Sequence, residues 1–293
     1  MSAADAIRCQ GLVKRYRKAR ALDGLDLVVP AGSICGLVGP NGAGKTTTMS
    51  ILAGFLTPDE GSVDLLGLGP FSPETHRGRV GILPQDAELP TASTPRQLLT
   101  VWARLQGLDG PSAHRAVGEV LEAVLLSDRA DARVGTLSHG MRRRVTVASA
   151  LLGGPELVML DEPTSGLDPT QARHLRERIA AEQGRRTVLV SSHNLAELEQ
   201  ICDWVVFIDK GRCTRAGPLA TLTGRDREVF VRLAPPYPTG RSEVVTLRVP
   251  EGVAPEDATS ELLRALLSEG ARIAEVRRGE SLERRYFADE EVA

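Results

Sequence analysis

No apolar stretch of this 293-residue chain approaches the ~20 residues needed to cross a bilayer, which argues against a membrane-spanning helix. The N-terminus, Met-Ser-Ala-Ala-Asp, lacks the charged and apolar regions of a secretory signal. Neither sign of charge prevails. The formal net charge is −2 and no basic stripe dominates, so nucleic acid is not an expected partner. Aromatics are scarce, at 3%, and lysine is nearly absent beside abundant arginine. Cys9, Cys35, Cys202 and Cys213 show no paired metal-ligand spacing. Their apolar neighbours predict buried free thiols in a reducing compartment. A soluble, cytoplasmic chain is expected, long enough for one large or two smaller domains.

What is present centres on Gly39–Thr47, Gly-Pro-Asn-Gly-Ala-Gly-Lys-Thr-Thr. Gly39, Gly44, Lys45 and Thr46 fit the phosphate-cradling pattern of Gly, four free positions, Gly, Lys, then Ser or Thr. Glycine lets the backbone curl until successive N–H groups face phosphate oxygens. Gly39, Asn41, Gly42, Ala43, Gly44, Lys45, Thr46 and Thr47 are the expected phosphate contacts. Lys45 can reach the β- and γ-phosphates, and the Thr46 hydroxyl can hold Mg²⁺. The run Ser33–Val38 reads as a strand entering this loop. Thr46–Ala53 reads as a helix leaving it, with its dipole favouring phosphate.

Upstream, the apolar runs Ala6–Cys9 and Leu25–Val29 flank a basic segment, Lys14–Arg20, and predict antiparallel strands. Tyr16 lies in that segment, either as an exposed surface ring or as a platform on which a nucleotide base stacks. Its position before the loop favours the platform. Downstream, Ser62–Leu66 and Arg79–Pro84 read as strands. Gln85, which follows the second, is either a surface residue or a ligand for Mg²⁺ or the attacking water, because α/β folds bind ligands beyond the carboxyl ends of strands. Residues 95–127 turn helical, starting at Pro95 and breaking at Gly107–Pro111, with Trp102 expected in the core. A further helix opens at Leu137-Ser-His-Gly-Met141, with Ser138 as N-cap and an anion site at its start. Its arginine run, Arg142–Arg144, could bind phosphate or lipid head groups, but such a run is more often a solvated helix face.

Glu156–Leu160 is an apolar strand ending in Asp161-Glu162-Pro163. Burying two unpaired carboxylates is expensive, so a cation explains them better than packing does. Asp161 can hold Mg²⁺ while Glu162 polarises the water that attacks the γ-phosphate. Asp168 precedes Pro169 as a helix N-cap, with any further role open. Thr187–Ser191 is a β-branched strand leading to His193, which is either structural or close to the γ-phosphate. Trp204–Ile208 and Arg212–Arg215 pair as a hairpin across Asp209–Gly211. Beyond Gly217-Pro218 the character changes to strands at Val229–Leu233, Val244–Val249 and Ala271–Val276. An amphipathic helix is expected at Pro255–Ser268 and a last short one at Ser281–Phe287.

Together these motifs resemble the ATP-binding subunit of ABC transporters, over about residues 5–218 and in that family's order. Leu83-Pro-Gln-Asp-Ala-Glu88 and Ser281-Leu-Glu-Arg-Arg-Tyr-Phe287 look more narrowly like the bacterial drug-, lipid- or polysaccharide-exporter branch. The resemblance implies an α/β fold: a P-loop NTPase core with an N-terminal antiparallel β subdomain and a helical insertion at about 90–150. Domains of 1–218 and 219–293 are expected, the second a small α+β accessory unit. ATP and Mg²⁺ are the implied cofactors, with Thr46, Gln85 and Asp161 around the metal. Glu162, His193, Lys45 and Gln85 are implied as catalytic.

Further implications concern partners. Two such subunits would pair head to tail, in the simplest case as a homodimer, and sandwich two ATP molecules. Ser138 and the Gly140 amide would then reach the partner's γ-phosphate, and Asp168 would span the interface. An integral-membrane permease would be a separate polypeptide, placing this chain on the inner face of the cell membrane. The alternative is a soluble ABC-type ATPase in cofactor assembly. A non-hydrolysing scaffold is disfavoured by Lys45, Asp161, Glu162 and His193. One departure stands out: His139 replaces a family glycine, where it either crowds the closed site on a strained backbone or points away.

Overall fold

The structure is a computed structural model that describes residues 5–17, 19–224, 227–235, 243–250, 252–279 and 281–283. The chain divides into two compact units, Met1–Ala216 and Gly217–Ala293.

At the centre of the first unit is β3 (Ile34–Val38), five residues that are all buried. Its apolar run lacks polar alternation because both its faces and both its edges are covered. It lies in a six-stranded sheet ordered β5-β6-β7-β3-β8-β9, formed by β5 (Val80–Leu83), β6 (Leu157–Asp161), β7 (Thr187–Ser191), β8 (Trp204–Asp209) and β9 (Arg212–Pro218). The pairs β5/β6, β6/β7, β7/β3 and β3/β8 are all parallel. Five strands therefore end at one edge, and the segments after Leu83, Asp161, Ser191, Val38 and Asp209 emerge side by side. Register then places Asp161 opposite Ser191, and Ser191 opposite Leu37. Beyond β8, Lys210 (φ 45°) and Gly211 (φ 75°) turn the chain into β9.

A second sheet, ordered β2-β1-β4, is antiparallel and contains β1 (Asp5–Tyr16), β2 (Ala19–Pro30) and β4 (Glu60–Leu65). Leu12, Leu22, Leu25 and Leu27 bury one face in the core around Leu37 and Leu52. Both strands run on through the basic segment expected to separate them. Charge pairs explain the extension: Lys14 meets Asp59 at 3.1 Å and Arg15 meets Glu60 at 2.6 Å. Helix α1 (Lys45–Leu52) leaves the glycine-rich loop and buries Met49, Ile51 and Leu52.

Between β5 and β6 lie α2 (Pro95–Leu105), α3 (Gly110–Ala123) and α4 (His139–Leu151). Thr94 and Gln97 close a reciprocal cap on α2, and Asp109 caps α3. Pro111, expected only as a breaker, sits in the first turn of α3, where its missing N–H costs nothing. Trp102 is half-buried rather than core, because its neighbours Val101 and Leu105 face outward, 56% and 67% exposed. The remaining helices of this unit are α5 (Pro169–Ala180) and α6 (Leu195–Ile201), the latter a seven-residue element without a sequence signal beyond its Asn194 cap.

The second unit begins with the short α7 (Leu219–Thr223). Its three-stranded sheet, ordered β11-β10-β12, comprises β10 (Glu228–Ala234), β11 (Val244–Arg248) and β12 (Arg272–Arg278). Val229, Val231 and Leu233 alternate inward and form a small core with Leu266 of α8 (Pro255–Ser268). On the other face Arg232 pairs with Glu275 at 2.9 Å, and Arg277 lies over the Phe230 ring. The helix expected at Ser281–Phe287 lies mostly outside the described residues.

Candidate nucleotide site

Glycine is required at two points of the loop after β3. A Cβ on Gly39 would stand 2.2 Å from the Ile208 carbonyl oxygen, so the loop packs directly on β8. Gly44 has φ 110°, and a Cβ there would meet Leu22 and the Ala21 carbonyl at under 3 Å. The resulting loop lines a cavity of about 320 Å³ together with Tyr16, Lys45, Thr46, Gln85, Asp161 and Glu162. Tyr16, 44% exposed, is a surface ring that lines that cavity.

Lys45 Nζ donates to the carbonyl oxygens of Gly39 (2.6 Å) and Pro40 (3.1 Å). Burial pushes its pKa down, while the Glu162 and Asp161 carboxylates push it back up. Thr46 Oγ1 stands 3.5 Å from Gln85 Oε1, so the strand-end glutamine reaches the loop. Asp161 is buried and accepts a hydrogen bond from Ser191 Oγ. Hydroxyl, amide and carboxylate oxygens at one place form a hard donor set that suits Mg²⁺.

Glu162 is one of the few non-glycine residues with positive φ, at 50°. Its N–H donates to the Ser191 carbonyl (3.2 Å) and to Ser191 Oγ (3.1 Å). Its Oε2 stands 2.9 Å from His193 Nδ1, and the imidazole is otherwise largely exposed. A carboxylate oriented by an imidazole, beside a phosphate loop, is the arrangement a water-activating base requires.

The ABC transporter family model matches residues 22–165, which contain the loop, the family's signature segment at Leu137–Met141 that opens α4, and both carboxylates. The Nod factor export ATP-binding protein I of Burkholderia lata is 45% identical over 202 residues, 68% of this chain and 66% of that protein. This chain belongs to the ABC transporter family. The daunorubicin/doxorubicin resistance ATP-binding protein DrrA of Streptomyces peucetius is 39% identical over 219 residues, 74% of this chain and 66% of DrrA. The match thus spans just under two thirds of the length of these curated relatives. A solved structure described as the ATP binding subunit of an ABC transporter superposes with TM-score 0.69 at 27% identity, over 88% of this chain and 99% of that one.

Within the ABC fold, the remaining expected site residues lie apart from the phosphate cavity. Ser138 caps α4 by accepting from the Met141 N–H (3.2 Å), and Asp168 caps α5 by accepting from the Gln171 N–H (3.0 Å). Gly140 packs against the segment holding Asp168: a Cβ there would come 3.2 Å from Gln171 Oε1 and 3.4 Å from Leu167 Cδ2. His139 is the first residue of α4 and is not among the positive-φ residues, so it carries no left-handed backbone. Its ring rests against Gly166, where a Cβ would come within 2.6 Å of Cδ2 and Nε2.

Sequence reading missed one residue and misread two others. Ser191 appeared only as strand, yet its hydroxyl bridges both carboxylate residues. Arg143 and Arg144 are not a solvated face but are 8% and 7% exposed. Arg144 donates to the Val124 and Leu125 carbonyls, both at 2.9 Å, and so caps the end of α3. Arg143 donates to the carbonyls of Gln85 (3.1 Å), Asp161 (2.6 Å) and Glu162 (2.7 Å). The signal was present: Val147 and Ala150 lie four and seven positions after Arg143, placing it on a buried stripe. Cys9, Cys35 and Cys202 are buried free thiols as expected, whereas Cys213 is only half-buried. Burial, aided by Asp26, pushes the Cys9 thiol to about 12.

Proposed function

We propose that this chain is the ATP-hydrolysing subunit of an exporter, catalysing ATP + H₂O → ADP + phosphate. The observation that carries this reading is the convergence of Lys45, Gln85, Asp161 and Glu162 on one strand edge, with His193 held 2.9 Å from the Glu162 carboxylate. Lys45 and the Gly39–Thr47 amides bind the β- and γ-phosphates, and Tyr16 offers its face to the base. Glu162 takes the proton from the attacking water, and His193 fixes which carboxylate oxygen faces it. Thr46, Gln85 and Asp161 hold Mg²⁺, which supplies charge neutralisation on the phosphates when bound.

Half of each pocket comes from a second ATP-binding subunit. Exposed Ser138 and the amide of Gly140 on one copy approach the γ-phosphate bound to the other, and Asp168 lies at the junction. No helix among the described residues is long and apolar enough to cross a membrane. A separate integral-membrane permease carries the substrate, and this chain docks on it at the inner face of the cell membrane. Two relatives support export as the direction, being named for Nod factor export and for drug resistance. Residues 1–218 form the catalytic domain, with the helical insertion at about 90–150, and 219–293 an accessory unit.

The test is Glu162→Gln in the full chain. Loss of a general base lowers turnover on the order of 10²- to 10⁴-fold. Binding of a fluorescent ATP analogue stays within threefold of the natural chain. Near-normal phosphate release from the variant refutes the role of Glu162.

A further inference from the structure

Arg143 is a buried cation whose three hydrogen bonds all go to main-chain carbonyls, none to a carboxylate. Those carbonyls belong to two separate segments: Gln85 after β5, and Asp161-Glu162 after β6. The guanidinium fork is rigid and planar, so it sets the spacing of the groups it holds. We propose that Arg143 is the positioning residue that couples the metal-facing glutamine to the catalytic base.

The geometry at Glu162 gives the reason. The Asp161 and Glu162 carbonyls belong to the two peptide units on either side of the Glu162 Cα. Arg143 Nη2 holds both, at 2.6 and 2.7 Å. A non-glycine residue at φ 50° is strained and persists only where its surroundings over-determine it. Ser191 fixes the N–H of that residue, His193 fixes its carboxylate, and Arg143 fixes the two peptide planes that aim its side chain. Through Nη1 the same guanidinium holds the Gln85 carbonyl, whose side chain reaches Thr46. A shift of Gln85 is thereby transmitted to Glu162 through the guanidinium. Because Arg143 lies on the helix capped by Ser138, the signature, the glutamine segment and the base are held by one side chain.

An accessible route to this group makes the proposal testable by replacement. Gln85, Asp86, His139, Arg142, Arg143 and Glu162 line an open cavity of about 600 Å³. Arg143 Nε has no partner among the described residues, so a free guanidinium ion can reproduce every bond that Arg143 makes.

This inference rests on Glu162 being the base, and the experiment separates the two claims. Steady-state ATP turnover, binding of a fluorescent ATP analogue and thermal unfolding are measured on the full chain, Arg143→Ala, Arg143→Lys and Glu162→Gln. A natural chain without turnover, or an active Glu162→Gln, refutes the reading of the base itself. With that reading intact, Arg143→Lys lowers kcat on the order of tenfold to hundredfold, because one ammonium cannot span both segments. KM and analogue affinity stay within threefold. Millimolar guanidinium restores part of the turnover of Arg143→Ala, and equal sodium chloride or urea does not. A kcat within twofold of natural in Arg143→Lys overturns the proposal. So does a soluble Arg143→Ala that guanidinium fails to rescue; should Arg143→Ala not fold, the Arg143→Lys result decides alone.

Discussion

Replacing Ser191 with Ala removes one oxygen and disturbs both carboxylate residues. Ser191 is fully buried at the end of β7, its hydroxyl donating to Asp161 and accepting from the Glu162 N–H. Without it, the buried Asp161 carboxylate loses a charge-assisted hydrogen bond that contributes about 1.5–3 kcal/mol. The Glu162 N–H keeps its second acceptor, the Ser191 carbonyl, so its loss adds little. For a unit of this size each kcal/mol moves the unfolding midpoint by about 2–4 °C, giving a fall of about 3–12 °C. The assay is thermal unfolding followed by circular dichroism, without nucleotide, since a bound ligand would mask the change by mass action. Ser191→Thr serves as the partner variant: it keeps the hydroxyl, and a β-branched side chain suits a strand. Recovery of most of the midpoint by Ser191→Thr is expected. A midpoint for Ser191→Ala within about 1 °C of natural would show that the hydroxyl contributes nothing and refute the bridge.

Two further outcomes follow from contacts described above. Gly166→Ala should destabilise the natural chain more than it does a His139→Gly background, because only the former has a ring where the new Cβ falls. A coupling of at least about 0.5 kcal/mol is expected in urea unfolding, and equal costs in the two backgrounds would remove the contact. Asp203 accepts from the Ile34 N–H and from Gln183 Nε2, yet burial raises its pKa from its ordinary value. A raised folded pKa means its contribution is fully present below the unfolded pKa, about 4, and lost as pH rises through the folded value. Asp203→Asn should therefore gain stability relative to the natural chain between pH 4 and pH 7, and a constant gap in urea midpoints would refute this.

The phosphate loop could be read from sequence because its backbone demands glycine at fixed spacing, and the structure shows why at Gly39 and Gly44. The adjacent carboxylates were legible because two charges at the end of an apolar strand have few packing explanations. The central strand Ile34–Val38 was legible as an apolar run, while the core around it was implied by the family resemblance. Arg143 and Arg144 were not legible as buried groups, because their partners are main-chain carbonyls and every residue carries one. Charged composition suggested solvent, while the stripe through Val147 and Ala150 dictated burial, and the stripe won. Helix α6 escaped because seven residues are too few for periodicity to show. For His139 the sequence left two orientations open, and its ring packs against Gly166 within the chain.

The parallel sheet also has a quiet edge, opposite the one that carries the chemistry. There the chain enters its strands through short connections such as Gln183–Arg186, whose Gly184 N–H bonds to the Gly32 carbonyl. A tag, a fluorophore or new termini placed in that connection would lie a whole strand length away from the phosphate cavity. The fold thus offers engineers a handle for labelling or immobilisation that leaves the working edge untouched.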